Sequence, residues 1–112
     1  MKADAEEDAA FWAALPYVDP FTSVLDELQE MHDRKGADYG RDEDPYANVR
    51  GSADFGVPPW VGALVRANDK MRRLQKVASG GTLKNEGIED SLVDLAVYAI
   101  IALILWREEV LG

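Results

Sequence analysis

Glu89-Asp90-Ser91-Leu92-Val93-Asp94-Leu95-Ala96-Val97-Tyr98-Ala99-Ile100-Ile101-Ala102-Leu103-Ile104-Leu105-Trp106 is the stretch on which the fold turns. From Leu95 to Trp106 every residue is apolar or Tyr. A helix this apolar belongs in a core. Two carboxylates, Asp90 and Asp94, open it. An unshielded anion in such a place is expensive, so Asp94 must be paired, hydrogen-bonded or bound to a metal. Asp90, Asp94 and Tyr98 recur every four residues, beside a face made by Leu92, Leu95, Ala96, Ala99, Leu103 and Trp106. The helix is expected from about Asn85 to Val110, and Glu86 adds a carboxylate if its first turn is helical. The apolar run is shorter than the roughly 20 residues that span a bilayer. It is expected to be buried in a core, partly by a second subunit.

As a whole, 112 residues make one domain with one core. A hydrophobic share of 47% excludes a disordered chain. The absence of cysteine excludes disulfides, thiolate metal sites and a Cys nucleophile. A formal net charge of -9 repels nucleic acid and anionic membrane, so direct nucleic-acid or membrane binding is not expected. The acidic start, Met1 to Asp8, has no signal-peptide pattern, and the expected location is cytoplasmic.

No segment alternates as a strand does, and there are no repeats. The expected fold is all-α, a four-helix bundle-like domain. Residues 1–19 read as an acidic N-terminal arm with a short helix over Ala5 to Leu15, and residues 20–112 as a single all-α domain. A helix from Pro20 to about Arg34 carries Phe21, Val24, Leu25, Leu28 and Met31 on its apolar side, with Gly36 breaking the pattern. Gly36 to Pro59 reads as an ordered binding loop, with one helical turn near Tyr46 to Arg50. The next helix begins at Pro59 and ends at Ser79-Gly80-Gly81. Val61, Leu64, Val65, Met71, Leu74 and Val77 are its expected buried side.

The same helix carries Arg66, Asp69, Lys70 and Arg73 at helical spacing. Arg offers a planar fork to phosphate oxygens and Lys a mobile point charge. Internal pairing of Asp69 with Arg66 and Arg73 is the bland alternative. A short turn joins this helix to the next, so the two should pack antiparallel and their charged faces should meet. Asp90 and Asp94, four residues apart, repel one another unless a cation intervenes, and Mg2+ favours one or two carboxylates plus waters and phosphates. Favourable acids at a helix N-terminus, or salt bridges to the preceding helix, account for them more readily from spacing alone. Glu27 and Glu30 form a further acidic pair, ordinary on a solvated face. Lys35, Asp38, Tyr39 and Gly40 suit phosphate and base contact, or a helix end and turn. His32 reads as a surface residue, and the three Trp residues as packing. No catalytic triad, P-loop or dinucleotide fingerprint is present.

Lys35-Gly-Ala-Asp38-Tyr39-Gly40, then Leu64-Val-Arg66-Ala-Asn-Asp69-Lys70-Met-Arg-Arg73-Leu74, then Glu86-Gly-Ile-Glu-Asp90-Ser-Leu-Val-Asp94-Leu-Ala-Val-Tyr98-Ala resemble the phage nucleotide modification associated domain family over about residues 25–108. That family is similar in pattern to the all-α nucleotide pyrophosphohydrolases, the MazG and dUTPase-like group. The resemblance implies a phage protein of nucleotide metabolism or modification, a Mg2+-dependent (deoxy)nucleoside triphosphate pyrophosphohydrolase, assembled as a homodimer or larger. It implies metal ligands among Glu86, Asp90, Asp94, Glu27 and Glu30, and catalytic acids Asp90, Asp94 and Asp69. Substrate contacts would come from Lys35, Asp38, Tyr39, Asn48, Arg66, Lys70 and Arg73. Three departures bear on activity. Ser91 stands where a Glu-x-x-Asp pair would place Glu, Asp69 lacks a second acid in its helix, and Val97 stands where Asn is expected. The alternatives are a non-catalytic nucleotide-binding protein and a phage protein that binds a host protein.

Overall fold

Pro59 and Gly80 delimit the helix around which residues Lys35–Gly112 are arranged. In the computed structural model, residues 17–39, 44, 46–83 and 87–112 are described, with backbone alone for 36–39. The described elements are α1 (Pro20–Tyr39), α2 (Ala47–Arg50), a 3-10 turn (Gly51–Phe55), α3 (Pro59–Ala78) and α4 (Ile88–Leu111). No strand occurs among the described residues, so the fold is all-α. None of their helices is long and apolar enough to cross a membrane. The expected helix over Ala5 to Leu15 lies outside the described residues. The chain divides into two compact units, Met1–Arg34 and Lys35–Gly112.

Asp19 starts α1 by accepting a hydrogen bond from the Thr22 backbone N–H at 3.2 Å, as a helix-capping Asp does. The helix runs through Gly36 to Tyr39, beyond the expected end near Arg34. One Gly costs a helix only about 1 kcal/mol, so it weakens the pattern without stopping it. Glu27 and Glu30 are exposed on this helix, as are Phe21, Val24 and Leu25.

In the second unit α3 and α4 form an antiparallel hairpin. Proline at the start of α3 needs no N–H partner there. At its end Gly80 takes φ +94, the Gly80 N–H donates to Val77 O at 3.0 Å, and the Gly81 N–H donates to Lys76 O at 2.8 Å. This paired closure needs a left-handed residue, which glycine supplies without strain.

The two helices meet along small side chains. Gly62, Ala63 and Ala67 are the buried residues of α3, and Ser91, Ala102 and Leu105 those of α4. Val49 from α2 joins Ala63, Ala102 and Leu105 in the core, with Tyr46, Trp60 and Ile101 packed against it. The expected buried side of α3 is therefore displaced: Leu64, Val65 and Met71 are exposed. Helices approach most closely where side chains are smallest, and Ala63 meets Ala102 and Leu105 of α4 in the core, while Gly62 faces the 3-10 turn. The expected apolar face of α4 is displaced in the same way, with Leu92, Leu103 and Trp106 about half exposed.

Candidate functional site

Helical spacing sets Lys70 one turn beyond Arg66 and Asp94 one turn beyond Asp90. The hairpin brings the two sets together. Lys70 Nζ lies 3.0 Å from Asp94 Oδ2, with the side chains 18% and 35% exposed. Asp94 is thus paired, the first of the options open to an anion in this helix. Arg73 is exposed and, like Lys70, has a further interaction partner. Asp69 and Asp90 are exposed on the outer flank of the same face.

Beside this pair is a groove of about 530 Å³ with a mostly apolar lining, between the α2/3-10 segment and the first turns of α3. Its volume falls within the range of small-molecule sites, roughly 300–1,000 Å³. Val49, Val57, Gly62 and Val65 supply apolar wall, and Asn48, Ser52, Asp54 and Arg66 the polar groups. Phe55, also in the lining, is 87% exposed. Arg66 belongs to both the groove and the charged flank, and it makes no ion pair or hydrogen bond among the described residues.

Two local devices hold the groove. The Ser52 hydroxyl donates to Val57 O at 2.9 Å, folding the 3-10 turn onto itself. A Cβ at Gly62 would lie 2.5 Å from Ser52 Oγ and 2.9 Å from Val49 O, so only glycine lets the turn sit on α3. Arg50 clamps α2 to the far end of α4. Its Nε donates to Asp44 Oδ2 at 2.6 Å and its Nη1 lies 3.0 Å from Glu108 Oε2. The guanidinium is held above its usual range by the Glu108 hydrogen bond, which outweighs the opposing desolvation, with Asp44 reinforcing it. A cation raised in this way is lost only at pH above the ordinary guanidinium range. The clamp therefore keeps its positive charge throughout neutral pH.

The structure brings together Asn48 with Arg66, and Lys70 with Asp94. Glu27 and Glu30 lie on α1, largely in the other unit, and Lys35 is exposed on that helix. The backbone of Asp38 and Tyr39 continues α1. Glu86 lies outside the described residues. Sequence reasoning missed Ser52, Asp54, Phe55 and Gly62. The available signals were an aromatic inside a Gly- and Pro-rich segment and the only glycine inside α3.

The donor chemistry answers in part to the Mg2+ that the resemblance implies. Asp90 and Asp94 one turn apart can supply the one or two carboxylates that this ion takes from a protein. Among the described residues no three His, Cys, Asp or Glu side chains converge. The Lys70 ammonium already serves Asp94 as counter-ion. These residues suit an ion that arrives with a phosphate group, not one held by the protein alone.

Comparison with protein-family models, with curated proteins and with solved structures finds no match to this chain.

Proposed function

We propose that this chain binds a nucleotide, with the base or sugar in the groove and the phosphates extending over the charged flank of the hairpin. The observation that carries the reading is the convergence of Asn48 and Arg66, from separate elements, on one groove. Arg66 offers its fork to a phosphate. Asn48 and Asp54 suit the donors and acceptors of a base or ribose, and the exposed Phe55 ring offers a face for stacking. Asp54 also disfavours an all-anionic ligand, which favours one with a charged end and a donor-rich end. Lys70 and Arg73 continue the cationic line beyond Arg66.

Binding is better supported than hydrolysis. Ser91 is fully buried in the helix interface. An acid at that position would lie between the helices, so the residue missing from the pyrophosphohydrolase-like pattern is one this packing excludes. Hydrolysis with Mg2+, in nucleotide metabolism or modification, stands as the stronger form of the same proposal. It requires Asp94 to exchange Lys70 for the metal; Asp90 and Asp94 would then hold Mg2+, which when bound would supply polarisation of a phosphate oxygen, and Arg66 would carry the phosphate charge.

A panel of (deoxy)nucleoside mono- and triphosphates tests this, by calorimetry and by chromatography of products with and without Mg2+. At least one nucleotide is expected to bind, and Arg66→Ala to weaken it about tenfold or more through the lost charge-assisted contacts. Pyrophosphate release absent from Asp94→Asn would establish hydrolysis. Failure of every nucleotide to bind overturns the proposal.

A further inference from the structure

The groove holds two opposite charges that do not meet. Asp54, on the 3-10 turn, and Arg66, on α3, both line it. Neither forms an ion pair or a hydrogen bond among the described residues. Each is left to serve a ligand, at a different end of it. With a phosphate on the Arg66 fork, the ribose follows and the base is the far end of the molecule. The base then comes to the 3-10 turn. That turn also carries Phe55, whose exposed ring lines the groove at the same end. Aromatic stacking holds any base, because every base has a π-face. It does not choose among them. The choice falls to the polar groups that meet the base edge.

Those groups are one-sided. A carboxylate only accepts hydrogen bonds, and its two oxygens can accept from two adjacent donors. Ser52, two residues before Asp54, has given its hydrogen to Val57 O at 2.9 Å. What Ser52 can still offer to the groove is a lone pair. Asn48, from α2, both donates and accepts, so it adapts to the base and does not select it. The 3-10 turn therefore favours a base whose edge presents donors.

Among the common bases guanine alone has two adjacent donors on one edge, the ring N1–H and the exocyclic N2 amine. Adenine and cytosine place a ring-nitrogen lone pair beside their amine, and a carboxylate repels it. Uracil and thymine have a single N–H between two carbonyl oxygens, which a carboxylate repels on both sides. A purine also covers more of the Phe55 ring than a pyrimidine does.

We propose that the groove selects guanine, with the Asp54 carboxylate accepting from N1–H and the N2 amine, the Asn48 amide donating to O6, and Phe55 stacking on the ring. The proposal rests on the nucleotide reading and adds to it the base and the residue that chooses it.

Titration calorimetry of the full chain with GMP, IMP, AMP, CMP and UMP tests it. IMP is GMP without the N2 amine, so the pair isolates one donor. GMP is expected to bind about tenfold tighter than IMP, the low end for a hydrogen bond to a charged group because Asp54 is exposed. AMP, CMP and UMP, which offer Asp54 a lone pair or a carbonyl oxygen, should bind more weakly than IMP. Asp54→Asn should bring GMP down to the level of IMP, with helical circular dichroism unchanged. The deoxy form, dGMP, should bind as GMP does. If nucleotides bind but GMP is no tighter than IMP or AMP, the guanine assignment is overturned and the nucleotide reading stands. If none of them binds, both are overturned. A guanine preference that survives in Asp54→Asn overturns the assignment. So does a preference for GMP over dGMP that this variant removes, since the carboxylate would then be serving the ribose hydroxyls.

Discussion

Gly62→Ala sets two physical effects against each other, and the structure decides the sign. Alanine is favoured over glycine inside a helix by about 1 kcal/mol, so propensity alone makes the variant more stable. The added methyl would lie 2.5 Å from Ser52 Oγ, 2.8 Å from Ser52 Cβ and 2.9 Å from Val49 O. Ser52 can retreat only by loosening the 2.9 Å bond from its hydroxyl to Val57 O, worth about 1 kcal/mol. The Val49 carbonyl is backbone and has no rotamer to change. Forcing an extra methyl into such a site costs roughly 1–3 kcal/mol. Adding the lost hydrogen bond and subtracting the propensity gain leaves the variant about 1–3 kcal/mol less stable. For a domain of this size that lowers Tm by about 5–15 °C. Thermal and urea denaturation followed by circular dichroism measure it. The double variant Ser52→Gly/Gly62→Ala should recover part of the loss, since two of the three clashing atoms are gone and the carbonyl remains. A rise in Tm for Gly62→Ala alone would refute the reasoning, because the 3-10 turn would then not rest on α3 and the groove would lack its floor.

Lys70→Met and Asp94→Asn should each cost about 1 kcal/mol, with a coupling at or just above the roughly 0.2–1 kcal/mol of exposed pairs, because Lys70 is largely covered. A double-mutant cycle showing no coupling would remove this contact from the fold. Arg50→Ala should cost about 1 kcal/mol in dilute buffer and less in concentrated salt, since its partners are more than a third exposed. A loss independent of salt would assign Arg50 to packing instead of charge. Ser91→Glu should lower stability by about 3 kcal/mol or more, because Ser91 is fully buried and the new carboxylate has no room or partner. Calorimetric melting reads it directly, and an unchanged melting temperature for Ser91→Glu would place that position outside the helix interface.

Local signals made much of the fold legible. Proline at the start of α3, the glycines that close it and the apolar run of α4 placed both helices within a few residues of their observed ends. The expected turn near Tyr46 to Arg50 appears as α2. That the charged flanks of α3 and α4 meet was legible, because antiparallel helices joined by a short turn must bring them together; that Lys70 is the partner Asp94 takes was shown only by the structure. The groove was only half legible: Asn48 and Arg66 stood out by chemistry, while Ser52 and Gly62 matter through a close approach that spacing does not reveal.

Residue order alone was enough to establish that the chain is helical, roughly where α3 and α4 begin and end, and which residues share a flank, because hydrogen-bonding termini and the helical repeat are local properties. Which flank faces inward was settled in three dimensions. A helix as apolar as α4 offers several acceptable faces, and periodicity leaves its rotation about its own axis open. The choice fell on the line of Ser91, Ala102 and Leu105, where small residues let α3 come nearest, and the larger side chains were left outside. Arg50 and Glu108, 58 residues apart, meet for the same reason: distant groups become neighbours only once two helices have settled how closely they pack.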